Sequence, residues 1–322
     1  GDMLDVDFGD MLDYLANDPD THAILLYVEA VTGARKFVSA ARAAARTKPV
    51  IVVKGGRHAE GARAVASHTG ALAGVDAVYD AAFRRAGMLR VFSLQELFDA
   101  VGILATVRRP QGERLMILSN GGGIGVLATD ALMDRHGVLA TLSQETLARL
   151  DAILPRTWSR GNPVDIAGDA DGARYRAALE ILLDSKDADA VLVLNCPTAI
   201  ASGAEAAQAV TDATLAATVA RRAPIVLTSW VGEASADGAR AIFSRNGVPT
   251  YDTPEAAVRS FMYTVNYRRS QQLLTQTPRS VPQEFTPDVA AARVPIAAAL
   301  AAGREWLNEA EAKAVLAAYA IP

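Results

Sequence analysis

The chain has 322 residues, 51% of them apolar and 21% charged, and a net charge of −4. That length exceeds one average domain and makes two the natural expectation, and the acidic balance gives no electrostatic ground for nucleic acid as a partner. A single cysteine, Cys196, excludes an internal disulfide framework and fits a reducing cytoplasm. No eighteen-residue apolar run and no basic-then-apolar leader occurs, which argues against a membrane span or an export signal. The four histidines, His22, His58, His68 and His136, are scattered without metal-ligand spacing, so no metal site is expected.

In chain order, the amphipathic pattern Met3, Leu4, Val6, Phe8, Met11, Leu12, Leu15 predicts a helix from about Phe8. Asp18-Pro19-Asp20 breaks it, and Ala23 to Val28 reads as a buried parallel strand with Glu29 at its carboxyl end. Gly33 opens a helix through about Arg46, and Val50 to Val53 is the next strand. Lys54 to Gly74 reads as a glycine-rich loop, followed by a helix over Val75 to Ala86, a short strand Leu89 to Val91 and a helix Leu94 to Thr106. A boundary is expected at Arg108 to Gly112.

A second set then begins with strand Leu115 to Leu118, the turn Asn120 to Gly125, helix Val126 to Arg135 and strand Val138 to Ala140. A helix from Ser143, a long loop Pro155 to Asp171 carrying Asn162-Pro163-Val164-Asp165, and a helix to Leu183 come next. Strand Ala190 to Leu194, helix Ala204 to Arg221, strand Ile225 to Leu227, helix Asp237 to Arg245, edge strand Pro249 to Tyr251 and helix Pro254 to Arg268 complete it. Strands alternating with helices predict an α/β chain with two consecutive flavodoxin-like, doubly wound parallel sheets, over 1–109 and 110–270. Residues 271–303 read as a linker, and 304–322 hold an amphipathic helix that reads as the start of a further domain. On that reading the chain is a fragment.

Two stretches carry chemistry. Asn120-Gly121-Gly122-Gly123-Ile124-Gly125 joins a strand to a helix and so offers free N–H groups and a positive dipole end to an anion. Gly123, Gly125 and Ala128 also fit a dinucleotide fingerprint, but Ala140, Thr141 and Leu142 stand where that fold needs a ribose-binding acid. No Lys-Ser or Lys-Thr follows, so it is no P-loop; a phosphate cradle is the preferred reading over a mere tight turn. The second stretch holds His68 between Ser67 and Thr69-Gly70. A histidine there can move a proton, bind a metal or take a phosphoryl group, and nothing nearby builds a serine or cysteine triad. For covalent phosphoryl transfer a carboxylate must hold the opposite ring nitrogen. Glu29, at the end of the strand expected beside Val50 to Val53, is the candidate.

SHTGALAG, with LLYVEAV upstream and SNGGGIGVLATDAL, NPVDIAGDA and VLNCPTA downstream, resembles the NDP-forming acyl-CoA synthetases. These are the ADP-forming acetate–CoA ligases of the succinyl-CoA ligase superfamily. The resemblance implies transient phosphorylation of His68, steadied by Glu29, with Gly121, Gly122 and Gly123 capping a helix aimed at the phosphoryl group and Thr69 and Gly70 close by. One departure is Glu29-Ala30 where Glu-Gly is frequent in the family. Asp165 matches a family segment at the border of the site, and Cys196 matches one as a packed core residue. The resemblance further implies CoA, ATP or ADP, Mg²⁺ and phosphate as ligands, a small carboxylic acid or acyl phosphate as substrate, and CoA-binding and ATP-grasp domains of the same protein as partners. Those domains would hold most of the cofactors, so the isolated fragment is expected to be inactive. The acid, the choice of ADP or GDP and self-association are left open. The rival expectation is an acyl-CoA-sensing region of a ligase-like lysine acetyltransferase, which would not need His68 or Glu29.

Overall fold

The structure is a computed structural model that describes residues 5–69, 74–106, 112–218, 224–276 and 286–321, the side chains of 67–69 and 218 excepted. It divides into two compact units, residues 1–275 and 276–322.

The first unit opens with α1 (Phe8–Asn17), β1 (Ile24–Val28), α2 (Ala34–Thr47), β2 (Val50–Lys54), α3 (Ala59–Thr69), α4 (Asp76–Arg85), β3 (Leu89–Val91) and α5 (Leu94–Thr106). Asp7 starts α1 by accepting from the N–H groups of Gly9 and Asp10 in a capping box. Lys36 then ties α2 to α1 through Asp7 and Asp10 at 3.1 and 2.7 Å. The strands form a parallel sheet in the order β1-β2-β3, with Val28 opposite Lys54. β2 is buried throughout, whereas β1 alternates buried and exposed residues, so one of its faces is uncovered.

The second sheet is built from β4 (Arg114–Ser119), α6 (Gly122–Met133), β5 (Val138–Leu139), α7 (Gln144–Ile153), β6 (Val164–Asp165), α8 (Gly172–Asp184), β7 (Ala190–Asn195), α9 (Gly203–Thr218), β8 (Ile225–Trp230), α10 (Asp237–Arg245), β9 (Thr250–Tyr251) and α11 (Pro254–Thr275). Its order is β5-β4-β7-β8-β9, all parallel, with β5 on the amino half of β4 and β6 on its carboxyl end. Leaving out the two-residue β6, the order is the flavodoxin-like one, with its topological switch between β4 and β7. The fold class expected from the alternation of elements is thus the one observed.

Strand periodicity sorts the side chains into three cores. Val50 and Val52 of β2 join α2 and Phe83 in an outer core, while Ile51 and Val53 point the other way. Leu115 and Ile117 of β4 meet them in a middle core, and Met116 and Leu118 enter a third with Tyr175, Trp230 and Phe243. The middle core, between the two sheets, is filled largely by α11, with Phe261, Met262, Tyr263 and Val265 all buried. The far end of α11 reaches the first sheet's connections. Gly87 has φ +81°, and a Cβ there would lie 2.6 Å from Leu274. Gln271 donates to its carbonyl at 2.8 Å.

The second unit contains α12 (Val289–Ala301), capped by Asp288, and α13 (Glu309–Ala318), started by an Asn308–Glu311 capping box. Three expectations are corrected. The stretch read as a loop after Lys54 contains helix α3, because Ala59, Ala62, Ala64 and Ala66 favour helix and Glu60 suits its first turn. The stretch 271–303 read as a linker contains the end of α11 and all of α12, whose alanines carry a helix despite Pro295. The expected glycine turn is shorter than thought, since α6 already begins at Gly122. Most of the expected boundary, 108–111, and the end of the Ala204 to Arg221 helix lie outside the described residues.

Two outcomes are expected. Phe261→Ala should cost about 3–5 kcal/mol by cavity formation. Because the ring serves the core between the sheets, hydrogen exchange should report lost protection in both Ile51–Val53 and Leu115–Ile117; loss in one sheet only would contradict a shared core. Glu113 holds Arg269 of α11 through bonds of 3.1 and 2.5 Å, and this hydrogen-bonded guanidinium keeps its carboxyl below the ordinary carboxylate range despite partial burial. A depressed folded pKa stabilises at pH above the unfolded value, about 4.3, and that contribution is lost as pH falls through the folded value. The urea midpoint of Glu113→Gln should therefore lie below wild type at pH 7, with the gap closing in acid.

Candidate functional site

Parallel strands deliver their carboxyl ends to one edge, so the ends of β1 and β2 bring Tyr27, Glu29, Lys54 and Gly55 together. The Gly55 N–H donates to the Val28 carbonyl at 2.9 Å, which carries the pairing one residue beyond β2. A Cβ on Gly55 would lie 2.7 Å from the Tyr27 hydroxyl and 3.5 Å from Glu29 Cγ. Glycine there leaves room for Tyr27 to donate to Glu29 Oε1 at 3.0 Å. Burial, and then the neighbouring Glu29 carboxylate, push the Tyr27 phenol up from its ordinary range. A cleft of about 600 Å³ opens on this edge, lined by Tyr27, Lys54, Gly55, Arg57, His58 and Phe92 among others.

Lys54 is 2% exposed. Its ammonium donates to the Gly55 carbonyl and lies 4.8 Å from the centre of the Tyr79 ring. Burial pushes it below the ordinary lysine range; Asp76 and Glu29 oppose that shift and Arg90 adds to it. The Tyr79 hydroxyl accepts from the Val31 N–H at 3.3 Å, which ties α4 to the segment leading into α2. α2 itself starts at Gly33 with no side-chain cap. From its resting place after β2 the chain turns at Gly56, φ +68°, and enters α3 with Gly61 close against Gly56.

His68 lies in the last turn of α3, about 13 Å along the helix axis from Ala59. The side chains of Ser67, His68 and Thr69 and the whole of Gly70 fall outside the described residues, so the expected approach of His68 to Glu29 falls outside them too. The described residues resume at Gly74, where a Cβ would lie 3.0 Å from Tyr79 Cε2.

At the second sheet, the switch point between β4 and β7 is closed by a side-chain clamp. Asn120 donates to the Cys196 carbonyl at 2.9 Å and accepts from the Cys196 N–H at 2.8 Å. Ser119 Oγ accepts from the Gly121 N–H at 3.0 Å, bending the chain into α6. No side chain caps α6 at Gly121, so its first turn keeps free N–H groups at the positive end of the helix. The glycines have separate reasons. A Cβ on Gly121 would sit 3.2 Å from Cys196 Cβ, one on Gly122 3.2 Å from Asp165 Oδ2, and one on Gly125 3.1 Å from Pro163 Cβ, while Gly123 faces open space. Asp165, at the end of β6, thus stands beside the start of α6. Cys196, expected as a packed core residue, is only partly buried, because its position after β7 puts it at the switch point. Below it Tyr175 is fully buried, its hydroxyl donating to the Leu194 carbonyl at 2.8 Å and accepting from Asn195 at 3.1 Å.

The structure therefore gathers Glu29 at one strand edge and Gly121, Gly122, Gly123 and Asp165 at another. Sequence patterns did not single out Tyr27, Lys54, Tyr79 or the Asn120–Cys196 clamp. A lysine closing a run of valines was the one available signal, since such a run predicts burial of whatever ends it. Among the described residues no group of three His, Cys, Asp or Glu side chains is placed to hold a metal ion, and no helix is long and apolar enough to cross a membrane.

Comparison with known proteins gives the same picture. Residues 1–104 match the family described as Succinyl-CoA ligase like flavodoxin domain, and residues 115–275 the Ligase-CoA domain. The chain is 38% identical over 260 residues to the alpha subunit of acetate–CoA ligase [ADP-forming] I of Pyrococcus furiosus, covering 81% of this chain and 55% of that one. It is 29% identical over 315 residues to 4-hydroxybutyrate–CoA ligase [ADP-forming] of Nitrosopumilus maritimus, covering 97% and 44%. Among solved structures, the dinucleotide-forming acetyl-coenzyme A synthetase 1 of Ca. Korarchaeum cryptofilum in complex with phosphate and ADP superposes with a TM-score of 0.79. Sequence identity there is 33%, over 88% of this chain and 60% of that one. The chain spans about half the length of the curated relatives it matches. With two consecutive family matches laid over two parallel sheets, the chain belongs to the NDP-forming acyl-CoA synthetases of the succinyl-CoA ligase superfamily.

Proposed function

We propose that this chain is the central region of an ADP-forming acyl-CoA synthetase that interconverts acyl-CoA, ADP and phosphate with acid, CoA and ATP through a phosphohistidine at His68. The observation that carries the proposal is the uncapped start of α6 at the β4/β7 switch point, an anion-binding geometry. It occurs in a chain whose relatives are ADP-forming CoA ligases, one of them solved with phosphate and ADP.

In the acyl-CoA-consuming direction, a phosphate oxygen attacks the thioester carbonyl, the C–S bond breaks and CoA leaves as its thiol, giving an acyl phosphate. A neutral His68 nitrogen then attacks phosphorus, the P–O bond to the acyl group breaks, and the carboxylate leaves. ADP finally takes the phosphoryl group from nitrogen, restoring the imidazole and giving ATP. Glu29 holds the ring nitrogen opposite the phosphorylated one and offsets the positive charge the ring gains. The first-turn N–H groups of Gly122 and Gly123 hold the phosphoryl oxygens at the turn made by Gly121, whose own N–H goes to Ser119, with Thr69 and Gly70 as further donors and Asp165 bordering the site. CoA and the nucleotide, with its Mg²⁺, are bound mainly by CoA-binding and ATP-grasp domains of the same protein. Residues 1–109 and 110–270 act as two modules of the relay, and 304–322 as the start of the ATP-grasp domain. The carboxylic acid substrate is small, and the protein works in the cytoplasm.

Incubated with labelled acetyl phosphate, the chain should acquire an acid-labile, base-stable label. Glu29→Gln should reduce the label roughly tenfold or more, the scale of one charge-assisted hydrogen bond, and His68→Ala should abolish it. Undiminished label in His68→Ala would exclude the phosphohistidine. The chain alone should form no acyl-CoA from acid, ATP and CoA.

A further inference from the structure

A lysine is among the costliest side chains to bury, and one that is buried is ordinarily paired with a carboxylate. Lys54 is 2% exposed and has no such pair among the described residues. The acid that most offsets its desolvation, Asp76, commits its carboxylate to Arg90 at 2.6 Å. Glu29, the other acid that acts on it, accepts the Tyr27 hydroxyl instead. Among the described residues, one of the three ammonium donors goes to the Gly55 carbonyl and the charge lies over the Tyr79 ring face.

The position of this unspent charge is specific. The Tyr79 ring under Lys54 is also the ring whose hydroxyl holds Val31, on the way from Glu29 to the uncapped start of α2. Gly74, where the described chain resumes after the His68 stretch, abuts the same ring. One aromatic side chain thus gathers the buried cation, the Glu29 segment and the exit of the histidine segment. A dry cation with donors to spare at that junction is matched by an anion with several acceptor oxygens.

We propose that Lys54 is an anion-holding residue of the phosphoryl-transfer centre, its ammonium binding a tetrahedral phosphate or phosphoryl group beside Glu29. The assignment rests on the relay reading of His68 and adds to it a cation that the family comparison does not name. Lys54 makes binding contact with the transferred group and forms no bond to it. The facing charged groups are Glu29 from the end of β1, Asp76 from α4 and Arg90 from β3. A bound phosphate would favour the charged form of Lys54 and so raise its pKa from the depressed value.

The test uses Lys54→Met, which keeps the apolar stem, and Lys54→Arg, which keeps the charge, beside wild type and His68→Ala. Labelling from acetyl phosphate should fall roughly tenfold to a hundredfold in Lys54→Met, with the melting temperature unchanged or raised, and recover in part in Lys54→Arg. Independently, the Lys54 ¹³Cε resonance, assigned by its absence from Lys54→Met, should shift and its titration move to higher pH as inorganic phosphate is added, and not when acetate is added. Full labelling of Lys54→Met would overturn the assignment while leaving the relay standing. If wild type takes no label, the relay fails and the resonance decides. A phosphate-specific shift would still support Lys54 as the anion-holding group, and no shift, or an equal one with acetate, would overturn it. The resonance is read on wild type and is equally assigned by its absence from Lys54→Arg, so it also decides the case if Lys54→Met fails to fold.

Discussion

Every strand pairing among the described residues is parallel, and a parallel pair cannot be closed by a hairpin. Each needs a crossover, which covers a sheet face with a helix and returns the chain to the same edge. Two consequences shape the molecule. Both faces of the central strands are dry, so β2, β4 and β7 are almost uninterrupted apolar runs. All the irregular chain that follows these strands collects along their carboxyl edges, where Glu29, Lys54, Asn120, Asp165 and Cys196 are found.

The dry strands also explain the polar residues at their ends. A side chain that follows a buried strand inherits part of its burial. Ser119 and Asn120 answer this by bonding to the turn and to the Cys196 backbone, leaving no unsatisfied group in the clamp. Lys54 answers it only in part, and the remainder is the feature that points to an anion. Where a glycine sits beside these groups it makes room for a neighbour, as Gly55 does for the Tyr27–Glu29 pair and Gly121 for Cys196.

α11 joins the two sheets because it is buried on most of its circumference. Its buried residues lie around the helix against elements of both sheets, so it carries no amphipathic stripe. Arg269 and Gln271 then fix its register against Glu113 and Gly87. The two sheets, matched by separate family descriptions, therefore share one core and one helix.

Helix and strand positions were legible wherever a period was complete, as in β3 and α5, whose bounds match the expectation to the residue. α3 and α12 were not, for opposite reasons. In α3, Gly61 is a close-packing residue against Gly56, yet a glycine in sequence carries the same signal whether it serves a loop or a tight approach. In α12, alanine propensity outweighs the composition that suggested a linker. Local order along the chain was enough for the alternation of elements, for the glycine turn that opens α6 and for Glu29 as a strand-end acid, because each depends on neighbours within a few residues. The Asn120–Cys196 clamp, the stand of Asp165 beside Gly122 and the unpaired burial of Lys54 over Tyr79 are contacts between segments far apart in sequence. They follow from which strands lie side by side, and the folded sheet order sets that.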